Sequence, residues 1–133
     1  MTSTSGRCLC GATRYTFAGP MLWRAHCHCE SCRRNTSSPV TTFFAVARDG
    51  FSWTGDEPGA YASSPGVTRR FCRTCGTPVS YENEAVPKEI HLYAASLDDH
   101  RDFSAERHDF WNERVGWLTV ADDLPKHEEQ DTQ

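Results

Sequence analysis

Three groups of cysteines constrain this 133-residue chain more than any other feature of its sequence. They are a C-x-C pair, a C-x-C-x-x-C triplet and a C-x-x-C pair, formed by Cys8 and Cys10, then Cys27, Cys29 and Cys32, then Cys72 and Cys75. Two thiolates one or two residues apart can reach the same tetrahedral ion, with zinc–sulfur distances of about 2.3 Å, because a tight turn directs both side chains to one side. Every cysteine of the chain therefore belongs to a group that predicts metal ligands.

Disulfide bonds are the main alternative use of so many cysteines in a short chain. However, seven is an odd number, and the N-terminal sequence MTSTSGRCLCG lacks the apolar core of a secretory signal. The longest uninterrupted apolar run, residues 43–47, has five residues, whereas a spanning helix needs roughly eighteen. We therefore expect a cytoplasmic protein with reduced cysteines and no membrane partner.

The charge balance argues against nucleic acid as a partner. With 14 basic and 18 acidic residues the formal charge is −4, which repels a phosphate backbone. A zinc-dependent module that binds protein or nucleic acid would need a basic face or a large exposed apolar patch. The sequence therefore gives little support to a zinc-dependent module that binds protein or nucleic acid.

Strand-and-turn patterning predicts a mainly β protein with few short helices. Short runs rich in aromatic and β-branched residues are separated by Gly, Pro, Asn and Asp. Strands are predicted over residues 13–18, 41–47, 51–54, 66–71, 78–81, 89–95 and 115–120. Helices are predicted over 30–35 and 105–113. The length fits one domain, residues 7–125, between a flexible N-terminus, residues 1–6, and a polar tail, residues 126–133.

The cysteine groups divide most economically into two metal sites. The two pairs supply four thiolates, which complete one tetrahedral shell and clamp distant parts of the chain, so this site is expected to be structural. The triplet then holds a second ion with one position open, as catalytic zinc sites do. In the alternative division, members of the triplet complete one pair or the other, and single cysteines are left without a metal site.

The charge of the triplet indicates what a zinc ion there could do. Three thiolates outweigh the two positive charges of the ion, so it would be a weaker Lewis acid than zinc held by three neutral histidines. Hydrolysis is therefore disfavoured, whereas an incoming thiol is well matched to a soft ion that holds it as a nucleophilic thiolate. We expect Cys27, Cys29 and Cys32 to form a catalytic site for a substrate thiol.

Residues beside the triplet allow other interpretations. His26 or His28 could supply a fourth ligand, which would make the second zinc structural as well. Since neighbouring side chains of an extended segment point to opposite sides, we expect His28 to contact groups outside the metal shell. Arg33 and Arg34 could bind the carboxylates of a substrate, although adjacent arginines are as often simply solvated.

Three motifs resemble the family of glutathione-dependent formaldehyde-activating enzymes, whose domain also occurs in centromere protein V. The sequence GRCLCGATRY at residues 6–15 resembles the family's opening G-x-C-x-C-G-x-x-x-Y. HCHCESCRR at residues 26–34 resembles its central C-H-C-x-x-C-R, and RRFCRTCGTPVS at residues 69–80 resembles its R-x-F-C-x-x-C-G-T segment. The three motifs occur in the family's order and cover most of the chain.

The resemblance implies a β-tent of folded antiparallel sheets and two zinc ions. The structural ion would bind Cys8, Cys10, Cys72 and Cys75, and the second ion Cys27, Cys29 and Cys32. The implied activity is condensation of glutathione with formaldehyde to S-hydroxymethylglutathione, a carbon–sulfur lyase reaction in reverse.

Such a reaction needs a proton donor and cations that bind the carboxylates of glutathione. The candidate donors are His28, His91, Asp98 and Asp99. The candidate cations are Arg33, Arg34, Arg69, Arg70 and Arg73. Because thiols add to formaldehyde without a catalyst, a zinc-binding or glutathione-carrying domain that does no catalysis is the main alternative function.

Overall fold

The computed structural model describes residues 3–130 and confirms a mainly β protein. Across these residues ten strands form a three-stranded and a seven-stranded sheet, with one α-helix. The strands are β1 (Thr4–Arg7), β2 (Arg14–Phe17), β3 (Trp23–Cys27), β4 (Thr41–Ala47), β5 (Phe51–Trp53), β6 (Gly59–Ser64), β7 (Val67–Phe71), β8 (Pro78–Asn83), β9 (Glu89–Tyr93) and β10 (Arg107–Asp109). The α-helix is α1 (Glu30–Thr36), and 3₁₀ turns cover Arg48–Gly50, Ala94–Ser96 and Trp111–Glu113.

The described chain divides into two compact units. The first contains residues 3–23 and 44–103, and the second contains residues 24–43 and 104–130. The predicted domain, residues 7–125, includes parts of both. Within residues 3–130, no helix has the length and apolar character needed to span a bilayer.

The first unit contains the small sheet, in the order β1-β2-β5, residues 44–47 of β4, and the strand sequence β9-β8-β7-β6. Strand β2 pairs antiparallel with both neighbours, so that Tyr15 lies opposite Gly6 in β1 and opposite Trp53 in β5. A single apolar cluster fills this unit, and its buried members are Cys8, Tyr15, Phe17, Phe44, Val46, Cys72, Val79, Ile90, Leu92, Ala94 and Leu97. Two of the cysteine ligand candidates are therefore packed into the core.

The second unit is built around residues 24–27 of β3, with β10 as a neighbouring strand. Strand β10 runs parallel to β3, with Asp109 opposite Cys27. Helix α1 begins after Cys29, whose sulfur caps it by accepting the Cys32 N–H at 3.3 Å. It ends at Ser37, which adopts a left-handed conformation with φ of 55°. This unit therefore joins the end of a strand and the start of a helix at the cysteine triplet.

Several sequence predictions of local structure are confirmed, and two are wrong. Strand β4 spans the predicted residues 41–47, and α1 matches the predicted helix at 30–35 with one additional residue. The helix predicted over 105–113 is wrong, because this segment contains β10, a left-handed Phe110 and a 3₁₀ turn. The strand predicted over 115–120 is also wrong, since no regular element covers these residues. Strands β1, β3, β6 and β10 were not predicted.

Within the described residues, parts of both predicted terminal segments pair with other strands or residues. Strand β1 begins at Thr4, inside the stretch expected to be flexible, and pairs with β2. Lys126, at the start of the expected tail, forms a parallel bridge with His108. Residues 1–2 and 131–133, for which the sequence predicts flexible ends, lie outside the described residues.

Candidate metal centres

The two outer cysteine pairs come together in the first unit and could hold one metal ion. Cys8 and Cys10 follow β1, Cys72 and Cys75 follow β7, and the four sulfur atoms lie within 4.8 Å of one another. The Cys8–Cys10 and Cys10–Cys72 sulfur distances are both 3.7 Å. Zinc–sulfur bonds of about 2.3 Å place tetrahedral ligands about 3.8 Å apart, so these sulfurs have the spacing of a zinc shell.

Local turns direct backbone N–H groups toward these sulfurs. The Thr13 N–H donates to Cys8 Sγ at 3.3 Å, and the Cys8 N–H donates to the Thr13 carbonyl at 3.0 Å, which closes the first loop. Gly11 and Gly76, each directly after a cysteine pair, have φ of 85° and 82°. Only glycine adopts this conformation without strain, so the C-G step of each motif is explained by the turn.

Thr77 links the two loops of this site. Its Oγ1 accepts the Leu9 N–H at 3.2 Å and lies 3.0 Å from Cys75 Sγ. Since the oxygen already accepts from Leu9, its own hydrogen is available to the sulfur. Hydrogen bonds from the Thr77 hydroxyl and backbone lower the pKa of Cys75 to about 5. This role of Thr77 was not predicted from the sequence, although Thr77 ends the C-G-T motif.

The cysteine triplet forms a second possible centre, in the second unit. Cys27 ends β3, Cys29 caps α1 and Cys32 lies in the first turn of α1, and their sulfurs all lie within 4.8 Å of one another. Within residues 3–130 no histidine, aspartate or glutamate completes this group. Hydrogen bonds with the other two cysteines, together with burial, raise the pKa of the Cys27 thiol. Three thiolates this close need a cation to offset their charge, so the donor set fits a metal ion.

His28 belongs to a chain of hydrogen-bonding side chains in the second unit. Its Nε2 lies 2.8 Å from His108 Nδ1, and His108 Nε2 lies 3.0 Å from a carboxylate oxygen of Asp122. Because a carboxylate only accepts, His108 Nε2 donates to Asp122. Burial, and then the charge of His108, lower the pKa of His28 to about 4. The expectation that His28 contacts groups outside the metal shell is confirmed, but its partners His108 and Asp122 were not predicted.

An aromatic residue with two nearby cations contacts this series of hydrogen-bonded side chains. The Trp111 ring lies edge-on to His28 and His108, with centroid distances of 5.0 and 4.9 Å. Arg114 Cζ lies 4.5 Å and Lys126 Nζ 5.2 Å from the centroid of the same ring. Neither cation was predicted from the sequence, because nothing in the local sequence connects Arg114 or Lys126 with the triplet.

The two arginines after the triplet have different environments. Arg33 donates through Nε to the His28 carbonyl at 3.3 Å and through Nη2 to the Glu113 carbonyl at 3.1 Å. Arg34 lies on the exposed side of α1 and forms a 2.8 Å ion pair with Glu30. Arg33 therefore supports the backbone around the triplet, and carboxylate binding by either arginine stays a prediction.

The other candidate proton donors lie in the first unit and have local partners. His91 is buried in β9, and its Nε2 lies 2.9 Å from a Glu89 carboxylate oxygen. Asp98 accepts the Ser5 hydroxyl at 2.7 Å, and Asp99 forms a 2.8 Å ion pair with Arg101. These contacts give His91, Asp98 and Asp99 structural roles in the fold of the first unit.

The candidate cations of the first unit also differ in their surroundings. Arg69 is buried, donates to Ser63 at 3.2 Å and lies over the Tyr81 ring. Arg70 forms a 3.2 Å ion pair with Glu82, whereas Arg73 is exposed in the loop between Cys72 and Cys75. Arg69 and Arg70 therefore have structural partners of their own.

Comparison with known proteins identifies the family of this chain. The profile of the family described as glutathione-dependent formaldehyde-activating enzyme matches residues 3–113. An uncharacterized lyase of Schizosaccharomyces pombe is 35% identical over an alignment of 97 residues, with coverage of 70% of this chain and 69% of the relative. The crystal structure of a Rhodobacter sphaeroides protein, a structural genomics target, has a similar fold with a TM-score of 0.58 and 21% identity, covering 71% of this chain and 87% of that one. The chain therefore belongs to the family of glutathione-dependent formaldehyde-activating enzymes.

Proposed function

We propose that this protein is a cytoplasmic, zinc-dependent carbon–sulfur lyase-like enzyme that condenses glutathione, or a similar thiol, with formaldehyde or a related small carbonyl. The observation that carries the proposal is the three-cysteine group of Cys27, Cys29 and Cys32, which no fourth protein ligand completes within residues 3–130. Membership of the family and a relative named as a lyase support the same class of activity.

The two cysteine groups would have different roles. Four thiolates complete a tetrahedral shell, so Cys8, Cys10, Cys72 and Cys75 would hold a structural zinc. A zinc ion bound by the triplet would supply one further coordination position, at which a substrate thiol is held as a thiolate. The net negative charge of the triplet with its ion favours this chemistry over hydrolysis.

The chain's own residues would hold the triplet in position for this reaction. The His28 N–H donates to the Asp109 carbonyl at 3.0 Å, which fixes the backbone between Cys27 and Cys29 to β10. On the helix side, the Glu30 N–H donates to the Glu113 carboxylate at 2.9 Å. Preorganised ligands of this kind reduce the reorganisation needed when a substrate binds.

The rate of adduct formation distinguishes an enzyme from a glutathione carrier. We expect the initial rate, measured by NMR with ¹³C-formaldehyde and glutathione, to rise in proportion to protein concentration above the uncatalysed rate. A carrier would lower free glutathione and leave the initial rate flat or reduced. That outcome would reject the enzymatic proposal.

Substitution within the triplet tests which residues are responsible. We expect Cys29→Ser to lose one of two zinc ions and the whole protein-dependent part of the rate, because a neutral hydroxyl replaces a thiolate ligand. Ser31→Ala, on the same turn of α1, is the matched control. It should keep two zinc ions and the wild-type rate. A Cys29→Ser protein with the wild-type rate would show that the triplet is not the catalytic site.

A further inference from the structure

Strand β6 forms one edge of the seven-stranded sheet, within the first unit. It pairs antiparallel with β7 on one side, and within residues 3–130 no strand pairs with its other side. A bulge lies between Ala62 and Ser64, but the pairing with β7 is regular from Gly59 to Ala62. Every residue of the strand after Gly59 is exposed. The outer backbone N–H and C=O groups of β6 are therefore available for pairing.

This edge lacks the charged side chains that commonly protect an edge strand. Residues 58–67 contain no charged residue, in a chain whose charged fraction is 24%. Pro58 and Pro65 flank the strand and do not interrupt it. Tyr61, near the middle of the strand, is 63% exposed. Because charges and prolines within a strand normally prevent edge-to-edge pairing, the edge of β6 is open to an added strand.

Carboxylates without ion-pair partners lie at both ends of this edge. Asp56 and Glu57 precede the strand, and Glu84 lies beside the β6–β7 turn, where its Oε2 would be 3.4 Å from a Cβ on Gly66. None of the three acidic residues forms an ion pair with another part of the described chain, residues 3–130. A depression of about 390 Å³ is lined by Glu84 and by the last residues of β6. The edge is therefore neutral along its length and negative at both ends.

This charge pattern disfavours a second copy of the chain as the occupant. In an antiparallel pair of β6 strands centred on Tyr61 and Ala62, Glu57 of one copy would lie opposite Gly66 of the other, beside Glu84. Like charges placed opposite each other destabilise a strand pair. The pattern instead favours a strand of another protein that is uncharged in its middle and basic at both ends. Glu57 and Gly66 are nine residues apart, so the basic residues would be about 30 Å apart in an extended segment.

We propose that the outer edge of β6 binds an extended segment of a basic protein by strand addition. Backbone hydrogen bonds between the segment and β6 would supply the affinity, as in other complexes of this kind. Ion pairs with Glu57 and Glu84 would fix the register, and Tyr61 would contact the side chain opposite it. The formal charge of −4 favours the approach of a basic partner. This interaction does not depend on the proposed enzymatic activity.

Peptides of defined charge test the proposal with the zinc-loaded full chain. The probe has four Thr-Val repeats between two pairs of lysines, with blocked termini, and the control peptide has glutamate in place of each lysine. We expect fluorescence anisotropy to show at least tenfold tighter binding of the lysine peptide, because ion pairs replace repulsion at both ends. Bound lysine peptide should slow hydrogen exchange in residues 59–64 and leave it unchanged in β5, an edge strand of the small sheet.

Two matched variants and one modified peptide separate strand addition from general charge attraction. Glu57→Gln/Glu84→Gln should bind the lysine peptide about tenfold more weakly, because both ion pairs are lost. Glu128→Gln/Glu129→Gln removes the same charge from exposed positions of the second unit and should bind like the wild type. A lysine peptide with all Thr-Val amides N-methylated keeps its charge but cannot pair with β6, so it should not bind.

Several results would overturn the proposal. The lysine peptide could fail to bind, or could bind no more tightly than the glutamate peptide or the N-methylated peptide. Hydrogen exchange in residues 59–64 could stay unchanged when the lysine peptide is bound. Protection of these residues that rises with protein concentration in the absence of peptide would assign the edge to a second copy of the chain.

Discussion

Thr77 shows how one side chain can connect the two halves of a candidate metal site without being a candidate ligand itself. Its hydroxyl accepts from the Leu9 N–H, in the loop of the first cysteine pair, and lies 3.0 Å from the Cys75 sulfur, in the loop of the second. The two loops are far apart in the sequence, so the Thr77 hydroxyl connects two segments that are not neighbours along the chain. Groups in such positions orient the ligands and increase metal affinity.

We expect Thr77→Val to weaken zinc binding at the four-cysteine site by about 10–100-fold, as loss of an outer-shell partner typically does. Valine preserves the shape but removes the hydroxyl that both loops use. Competition with a chromogenic chelator measures this affinity. Thr77→Ser keeps the hydroxyl and is the control. Equal zinc affinity in the valine and serine variants would contradict the role of the hydroxyl.

Strand β1 depends on a glycine where it crosses the core. A Cβ at Gly6 would meet the Tyr15 ring and the Ser96 carbonyl, and Tyr15 is completely buried. The Tyr15 hydroxyl is itself fixed at 2.6 Å from the Ser96 hydroxyl, so the ring cannot move aside easily. This close approach explains the glycine that opens the first motif.

We expect Gly6→Ala to destabilise the protein by about 1–3 kcal/mol, the usual cost of overpacking a core. Gly116→Ala is the matched control, because a Cβ there meets nothing within 4 Å. Urea unfolding followed by tryptophan fluorescence measures both variants. Equal unfolding midpoints would show that β1 accommodates the methyl group.

The elements that could be predicted from sequence are those stabilised by contacts between residues near in sequence or by a continuous run of apolar residues. Strand β4 is a continuous apolar and β-branched run, and its bounds were predicted correctly. Strand β10 is the polar tripeptide Arg107–Asp109, yet all three residues are buried, because Arg107 pairs with Asp109 at 2.9 Å and the strand pairs with β3. Such a strand depends on partners distant in sequence. The two cysteine groups could be predicted because the spacing within each motif is local. His108, Asp122 and the cations on Trp111 could not be predicted, because they are distant from His28 in the sequence.

Strand β9 should make stability depend on pH. Burial lowers the pKa of His91, although the Glu89 carboxylate opposes this effect, and Arg48 is the other charged group that acts on the ring. The unfolded chain then takes up a proton near pH 6.5 while folded His91 stays neutral, so stability is full above that pH and falls as pH decreases below it. We expect His91→Gln to have a smaller fall in urea midpoint between pH 7.5 and 5.5 than the wild type. An equal fall would show that His91 does not contribute.

At the scale of the whole molecule, each compact unit contains one of the two cysteine groups. The group in the first unit joins residues 62 positions apart, as between Cys10 and Cys72, and two of its cysteines belong to the apolar core. The group in the second unit lies within a short segment, from the end of β3 to the first turn of α1. Metal at the first group would therefore close a long loop, whereas metal at the second would order only local structure.

We expect Cys72→Ser to unfold or severely destabilise the protein and Cys29→Ser to leave it folded. Structural zinc sites contribute on the order of 10 kcal/mol, which is comparable with the whole stability of a domain, so the first unit should not persist without its ion. Thermal melting and amide hydrogen exchange measure the difference. Cys72→Ser should abolish protection in β1, β2 and β5, whereas Cys29→Ser should raise exchange mainly in α1. Equal losses of melting temperature in the two variants would show that the two groups do not divide structural and chemical roles in this way.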